Sequence, residues 1–136
     1  MATFVLKTEP STYSYQDLVR DKGTTWDGVS NPVALKHLRT IRPGDTLFIY
    51  HTGDEKQVVG VARADSEPYP DPKLGDPKRV VIDLVPVRAL AKPVPLSAFR
   101  TDPLLRSTDL VRLPRLSVIP LDAKQGERVK KLAGSK

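Results

Sequence analysis

Thirteen prolines in 136 residues constrain this chain more than any other feature. Proline lacks a backbone N–H and holds φ near −65°, so it interrupts helix interiors and central strand ladders. Glycine is ordinary at 8 residues, so the prolines mark many short, stiff loops rather than a low-complexity linker. No internal repeat is present. The chain must therefore be built from short elements punctuated by Pro10, Pro43, the Pro68-Tyr69-Pro70-Asp71-Pro72 run, Pro86, Pro95 and Pro103.

Between these breaks the pattern reads as follows. Thr3–Lys7 sets Phe4 and Leu6 against Val5 and Lys7, which suits a strand, and Pro10 follows its end. Ser14 and Asp17 resemble a capping box that opens a short helix to about Arg20. Asp21-Lys22-Gly23 is a turn. Asn31 fits the N-cap of a second helix with Pro32 at its first position, and Ala34, Leu35, Leu38 and Ile41 supply its apolar side. Arg42–Asp45 is a turn, and Thr46–His51 is a strand with Leu47 and Ile49 facing one way and Phe48 and Tyr50 the other. A hairpin loop leads to a strand over Gln57–Ser66. Gly60 at its centre marks a bulge or a close approach by a ligand or another backbone.

The 68–72 run is incompatible with regular structure and begins a loop to about Lys78. Arg79–Leu90 is the longest strand pattern, with Pro86 predicting a bulge or a sheet edge. Pro95–Phe99 reads as one helical turn, and 101–113 as short pieces broken at Asp102-Pro103. Leu116–Pro120 is a brief strand. Asp122 with Gln125 opens a last helix, whose apolar side is Val129, Leu132 and Ala133 and whose C-cap is Gly134. The sum is five or six strands and three or four short helices. Regular crossover helices do not separate the strands, which argues against a doubly wound parallel sheet. An α+β fold, a small bent mixed sheet or barrel with helices at its ends, fits better.

A chain of this length suits a single domain over 1–136 and buries roughly two-thirds of its unfolded surface. It has no cysteine, which excludes disulfides, thiolate metal sites and a Cys nucleophile. The Met1–Lys7 segment is too short for a signal peptide, and no apolar run approaches the roughly 20 residues that span a bilayer. The expectation is a soluble, intracellular, cytoplasmic protein with no membrane partner. The net charge of +6 favours a polyanionic partner, and nucleic acid is the commonest.

The catalytic motifs are missing. There is no G-x-S-x-G elbow, Walker A loop, G-x-G-x-x-G or H-E-x-x-H, and only two histidines, His37 and His51. No metal and no cofactor is expected. The notable stretch is 25–52, with Thr25-Trp26-Asp27-Gly28-Val29-Ser30-Asn31-Pro32 at one end and Leu47-Phe48-Ile49-Tyr50-His51-Thr52 at the other. A base pocket needs aromatic faces for stacking and a few fixed polar groups for the base edge. Trp26, Tyr50 and Tyr69 supply faces; Ser30, Asn31, His51 and Ser117 supply hydrogen bonds. Lys7, Lys36, Arg39, Arg112 and Arg115 are candidates for phosphate contact. The same residues also have plain roles: Trp26 in a core, Asn31 as a cap, Tyr50 as a half-buried strand residue, Arg115 in solvent. Composition and spacing leave both readings open.

Several motifs in order resemble one family. Phe4-Val5-Leu6-Lys7-Thr8-Glu9-Pro10, Tyr13-Ser14 and Asp17-Leu18 resemble the opening of the EVE domain. Trp26-Asp27-Gly28-Val29-Ser30-Asn31 matches its W-D-G-V-R-N signature at five of six places. Gly44-Asp45 with Phe48-Ile49-Tyr50-His51-Thr52, Val59–Ala62, Glu67–Pro72 and Pro114–Val118 are similar to its later segments, so the likeness runs from about residue 3 to 134. It implies a PUA-like fold, related to YTH and ASCH domains, and a pocket for a modified base of DNA or RNA. By that likeness Trp26, Ser30, Asn31, Tyr50, His51 and Ser117 fall on pocket positions, with Lys7 and Glu9 nearby. Ser30 departs from the family's Arg and so lacks a planar donor fork; Pro32 and the Leu35-Lys36 pair are further departures. The expected function is a non-enzymatic reader of modified nucleic acid. The alternatives are a small enzyme on a nucleoside-like ligand with His51 as acid or base, and a protein-interaction module with a vestigial pocket.

Overall fold

A computed structural model describes residues 1–134; the last two residues of the expected 1–136 domain lie outside the described residues. The elements are β1 (Thr3–Thr8), α1 (Tyr15–Asp21), β2 (Thr24–Trp26), α2 (Pro32–Leu38), β3 (Thr46–His51), β4 (Gln57–Ala64), β5 (Tyr69–Pro70), β6 (Val80–Pro95), α3 (Leu96–Thr101), α4 (Asp109–Arg112), β7 (Val118–Leu121) and α5 (Ala123–Leu132). Among the described residues this gives seven strands and five helices, more than the sequence pattern predicts. The additions are short. β2 has three residues, and β5 has two within the proline run that local rules exclude from regular structure. Tyr69 and Pro70 pair with Val81 and Val80. A proline is tolerated there because a two-residue edge strand asks little of its backbone N–H.

The sheet runs β2-β6-β4-β3-β1-β7, with β5 attached to β6. β1 is parallel to β3 and antiparallel to β7, which makes the sheet mixed. β6 extends past the predicted Leu90 to Pro95. It bends as it goes: its pairing with β4 shifts register between Val58 and Gly60 and again between Val61 and Ala62. Such bulges increase local twist and curl a sheet. The helices α2 and α5 each touch both β6 and β7, far apart in strand order, so they close the open side of the curl.

Because of that closure, the central strands are covered on both faces. Leu47 through His51 are all buried, as are Phe4, Val5 and Leu6. The two-faced alternation expected of β3 therefore does not separate core from solvent. Phe48, Phe99, Leu18, Leu38, Ile41 and Leu105 share one core. Gly60 shows why β4 needs a residue without a side chain. A Cβ there would lie 2.4 Å from the ring of Tyr15, whose hydroxyl donates to the Val61 carbonyl at 2.7 Å. The close approach is by an aromatic ring of α1.

Candidate nucleic-acid interface

Three chain segments meet at one end of the sheet. The first is the exit of β2 into α2. Trp26 pairs with Ile82, so β6 fixes its position. Gly28 then takes φ +80°, a left-handed conformation, although a Cβ there would meet nothing within 4 Å. Glycine is required there for backbone freedom, not for space. The turn delivers Asn31 to the N-cap of α2, where its Oδ1 accepts from the amides of Val33 and Ala34 at 2.9 and 3.1 Å. Pro32 follows at the first helical position, which needs no N–H.

The second segment is the end of β1 with the loop before α1. The third is 114–117, ahead of β7. Lys7 ties these two together: its amide donates to the Ser117 carbonyl at 3.0 Å, and its Nζ donates to the Pro114 carbonyl at 2.8 Å. Burial lowers the Lys7 ammonium pKa from its ordinary value.

Between the segments lies a cavity of about 640 Å³. Its walls include Trp26, Ser30 and Asn31 from the first segment, Lys7 from the second, and Arg115 and Ser117 from the third. This volume is in the range of small-ligand pockets, roughly 300–1,000 Å³. Trp26 is 8% exposed and meets Tyr13 edge to face, with centroids 6.5 Å apart and planes at 84°. It is both a margin of the core and a wall of the cavity.

Other sequence candidates lie elsewhere. Tyr50 is buried and is not among the lining residues; Lys7 Nζ sits 5.6 Å over its ring. His51 is 2% exposed with both ring nitrogens engaged. Nε2 accepts from the Tyr15 amide at 3.0 Å, which places the ring proton on Nδ1, 3.0 Å from Glu55 Oε1. Held in this way, His51 ties α1 to β3 and is not among the residues that line the cavity. Tyr69 does not line the cavity either; its hydroxyl donates to Asp83 Oδ1, which also accepts from Thr25 Oγ1 and so braces β2. Lys36, Arg39 and Arg112 are exposed outside the cavity, and Arg39 Nη2 donates to the Lys78 carbonyl at 2.7 Å. Glu9 is exposed and accepts from Ser11; that backbone hydrogen bond holds its carboxyl below the usual range.

The sequence reading missed Tyr13, Thr12, Thr24 and Asp27 as wall residues. Tyr13 stands just before the N-cap Ser14, a position where an apolar residue often packs back on its own helix. Nothing local shows that it turns to Trp26. A second hollow, about 660 Å³, runs along α5 past Leu104, Lys124, Arg128 and Lys131. It has no aromatic wall.

A curled mixed sheet closed by short helices is a PUA-like fold, and an ASCH protein of Zymomonas mobilis, 12% identical with a TM-score of 0.60, shares that fold. The EVE domain model matches residues 2–132, and the chain belongs to that family. Thymocyte nuclear protein 1 of Gallus gallus is 28% identical over 167 residues, covering 98% of this chain and 69% of that protein. A Rhodopseudomonas palustris protein solved by NMR is 36% identical, with a TM-score of 0.93 over 98% of this chain and 94% of its own. Human THYN1, crystallised in complex with DNA containing 5-methylcytosine, is 26% identical, with a TM-score of 0.90 over 100% of this chain and 99% of its own.

Proposed function

We propose that this chain is a non-enzymatic nucleic-acid-binding module that receives a modified base in the cavity beside Trp26. The carrying observation is the convergence of Trp26, Ser30, Asn31, Arg115 and Ser117, from opposite ends of the sequence, on one cavity of about 640 Å³. Support also comes from the DNA complex of the human relative. A base leaving its stack loses a few kcal/mol of stacking and pairing, which the cavity must offset. Trp26 and Tyr13 offer aromatic surface. Asn31 spends its oxygen on the helix cap, so its Nδ2 amide is the part left to donate to a base edge. The Ser30 and Ser117 hydroxyls donate or accept. Arg115 supplies a guanidinium within the cavity, which Ser30, standing where the family has Arg, does not.

The test is fluorescence anisotropy with oligonucleotides that carry 5-methylcytosine or cytosine at one central position. Wild type binds the modified oligonucleotide more tightly. Asn31→Asp keeps the cap acceptor but removes the amide donor, and is expected to weaken that binding about tenfold while the fold persists. Equal affinities of wild type for modified and plain oligonucleotides, across a set of base modifications, would refute the reading.

A further inference from the structure

Asp27 is the single carboxylate among the residues lining the cavity, and it follows Trp26 directly in the chain. Most polar groups around it are already used. The Thr8 hydroxyl donates to the Tyr13 carbonyl, the Tyr13 hydroxyl to Asp21, and the Thr25 hydroxyl to Asp83. The Asn31 oxygen is held by the α2 cap, and Lys7 Nζ reaches the Pro114 carbonyl. Asp27, by contrast, is exposed and has no hydrogen bond or ion pair among the described residues.

An ionised carboxylate only accepts hydrogen bonds. The groups left over to meet a base edge are therefore an acceptor at Asp27, a donor at Asn31 Nδ2, and the Ser30 and Ser117 hydroxyls, which donate or accept as the ligand requires. Their complement is a ring that presents an amine beside ring acceptors. Cytosine-type and adenine-type bases have that edge. Uracil-type and hypoxanthine-type bases place a carbonyl oxygen where the amine would be, and a carboxylate facing that oxygen is repelled and left unpaired. Sites built to bond a donor reject the analogue that lacks it far more strongly than apolar pockets reject a misfit.

We infer that Asp27 sets the specificity of the cavity for bases that carry an exocyclic amine, by accepting a hydrogen bond from that amine. This rests on the base-pocket reading above and narrows its ligand class. Gly28 is part of the device: its left-handed turn lies between Asp27 and Asn31, which line the same cavity one and five residues after β2 ends.

The test uses two pairs of otherwise identical oligonucleotides, 5-methylcytosine against 5-methyluracil and adenine against hypoxanthine. Each pair exchanges an amine for an oxygen at one ring carbon and turns the neighbouring ring nitrogen from an acceptor into an N–H donor, so the Asp27 variants assign the contribution of the amine contact. Wild type is expected to prefer the amine member of at least one pair about tenfold, the size of one good base contact. In Asp27→Asn that ratio falls to within about threefold, since an amide also donates to an oxygen. Removing a negative charge raises affinity for every oligonucleotide alike, so the ratio is the measurement, not the affinity. Asp27→Ser gives the same readout should the Asn variant fail to fold. Equal wild-type binding of amine and oxo members in both pairs overturns the inference, as does a full preference surviving in the folded variant. A retained amine preference with no distinction between 5-methylcytosine and cytosine would remove the modified-base reading and leave the role of Asp27. No oligonucleotide binding at all removes both.

Discussion

Asn31 performs two tasks with different atoms, and that separates them experimentally. Its Oδ1 caps α2, while the Nδ2 amide is free for a ligand. Asn31→Ala loses both, and the cap alone is worth about 1 kcal/mol. Asn31→Asp restores an acceptor at the cap, so urea denaturation should show stability near wild type while oligonucleotide binding stays weak. His51 should behave in the opposite way. His51→Ala leaves the buried Tyr15 amide without its acceptor, which costs about 1–3 kcal/mol. The midpoint of urea unfolding falls, but the folded variant binds an oligonucleotide like wild type. The cap was legible in sequence because Asn-Pro capping is local chemistry. The placement of Tyr50 and His51 was not, because β3 is covered on both faces, and alternation along a strand buried on both sides does not tell which face borders a cavity.

At the scale of elements, α1 and β4 meet through one glycine. The Tyr15 ring occupies the space that a Cβ on Gly60 would need. Gly60→Ala should destabilise the protein by about 1–3 kcal/mol through overpacking, read as a lower unfolding midpoint. In a Tyr15→Leu background the same substitution should cost less. A double-mutant cycle measures the coupling, and strict additivity would remove the steric explanation. The glycine was visible in sequence as a point of close approach, but the partner lies 45 residues away in the chain. The same limit hid β2 and β5. Three residues and two residues carry no periodicity, and they become strands only because β6 is long enough to pair with both. The capping boxes of α1 and α5 and the Pro32 start of α2 were readable, because each is complete within four residues.

At the scale of the whole molecule, the question is which of the positive charges meet phosphate. The net charge of +6 predicts affinity that falls with salt, by about 0.7 to 0.9 in log–log slope for each phosphate contact. Charge alone does not single out any residue, and the sequence offered five candidates on equal terms. The fold does not treat them equally. Lys7 and Arg115 line the cavity, whereas Arg39 is outside it, with one guanidinium N–H donated to the Lys78 carbonyl. Arg115→Gln is therefore expected to lower the salt slope of oligonucleotide binding by about one and to weaken all sequences together. Arg39→Gln should leave the slope unchanged within error. Binding isotherms over a range of salt concentrations measure both variants against wild type. A slope lost in Arg39→Gln and kept in Arg115→Gln would move the phosphate path off the cavity and onto the outer face of α2.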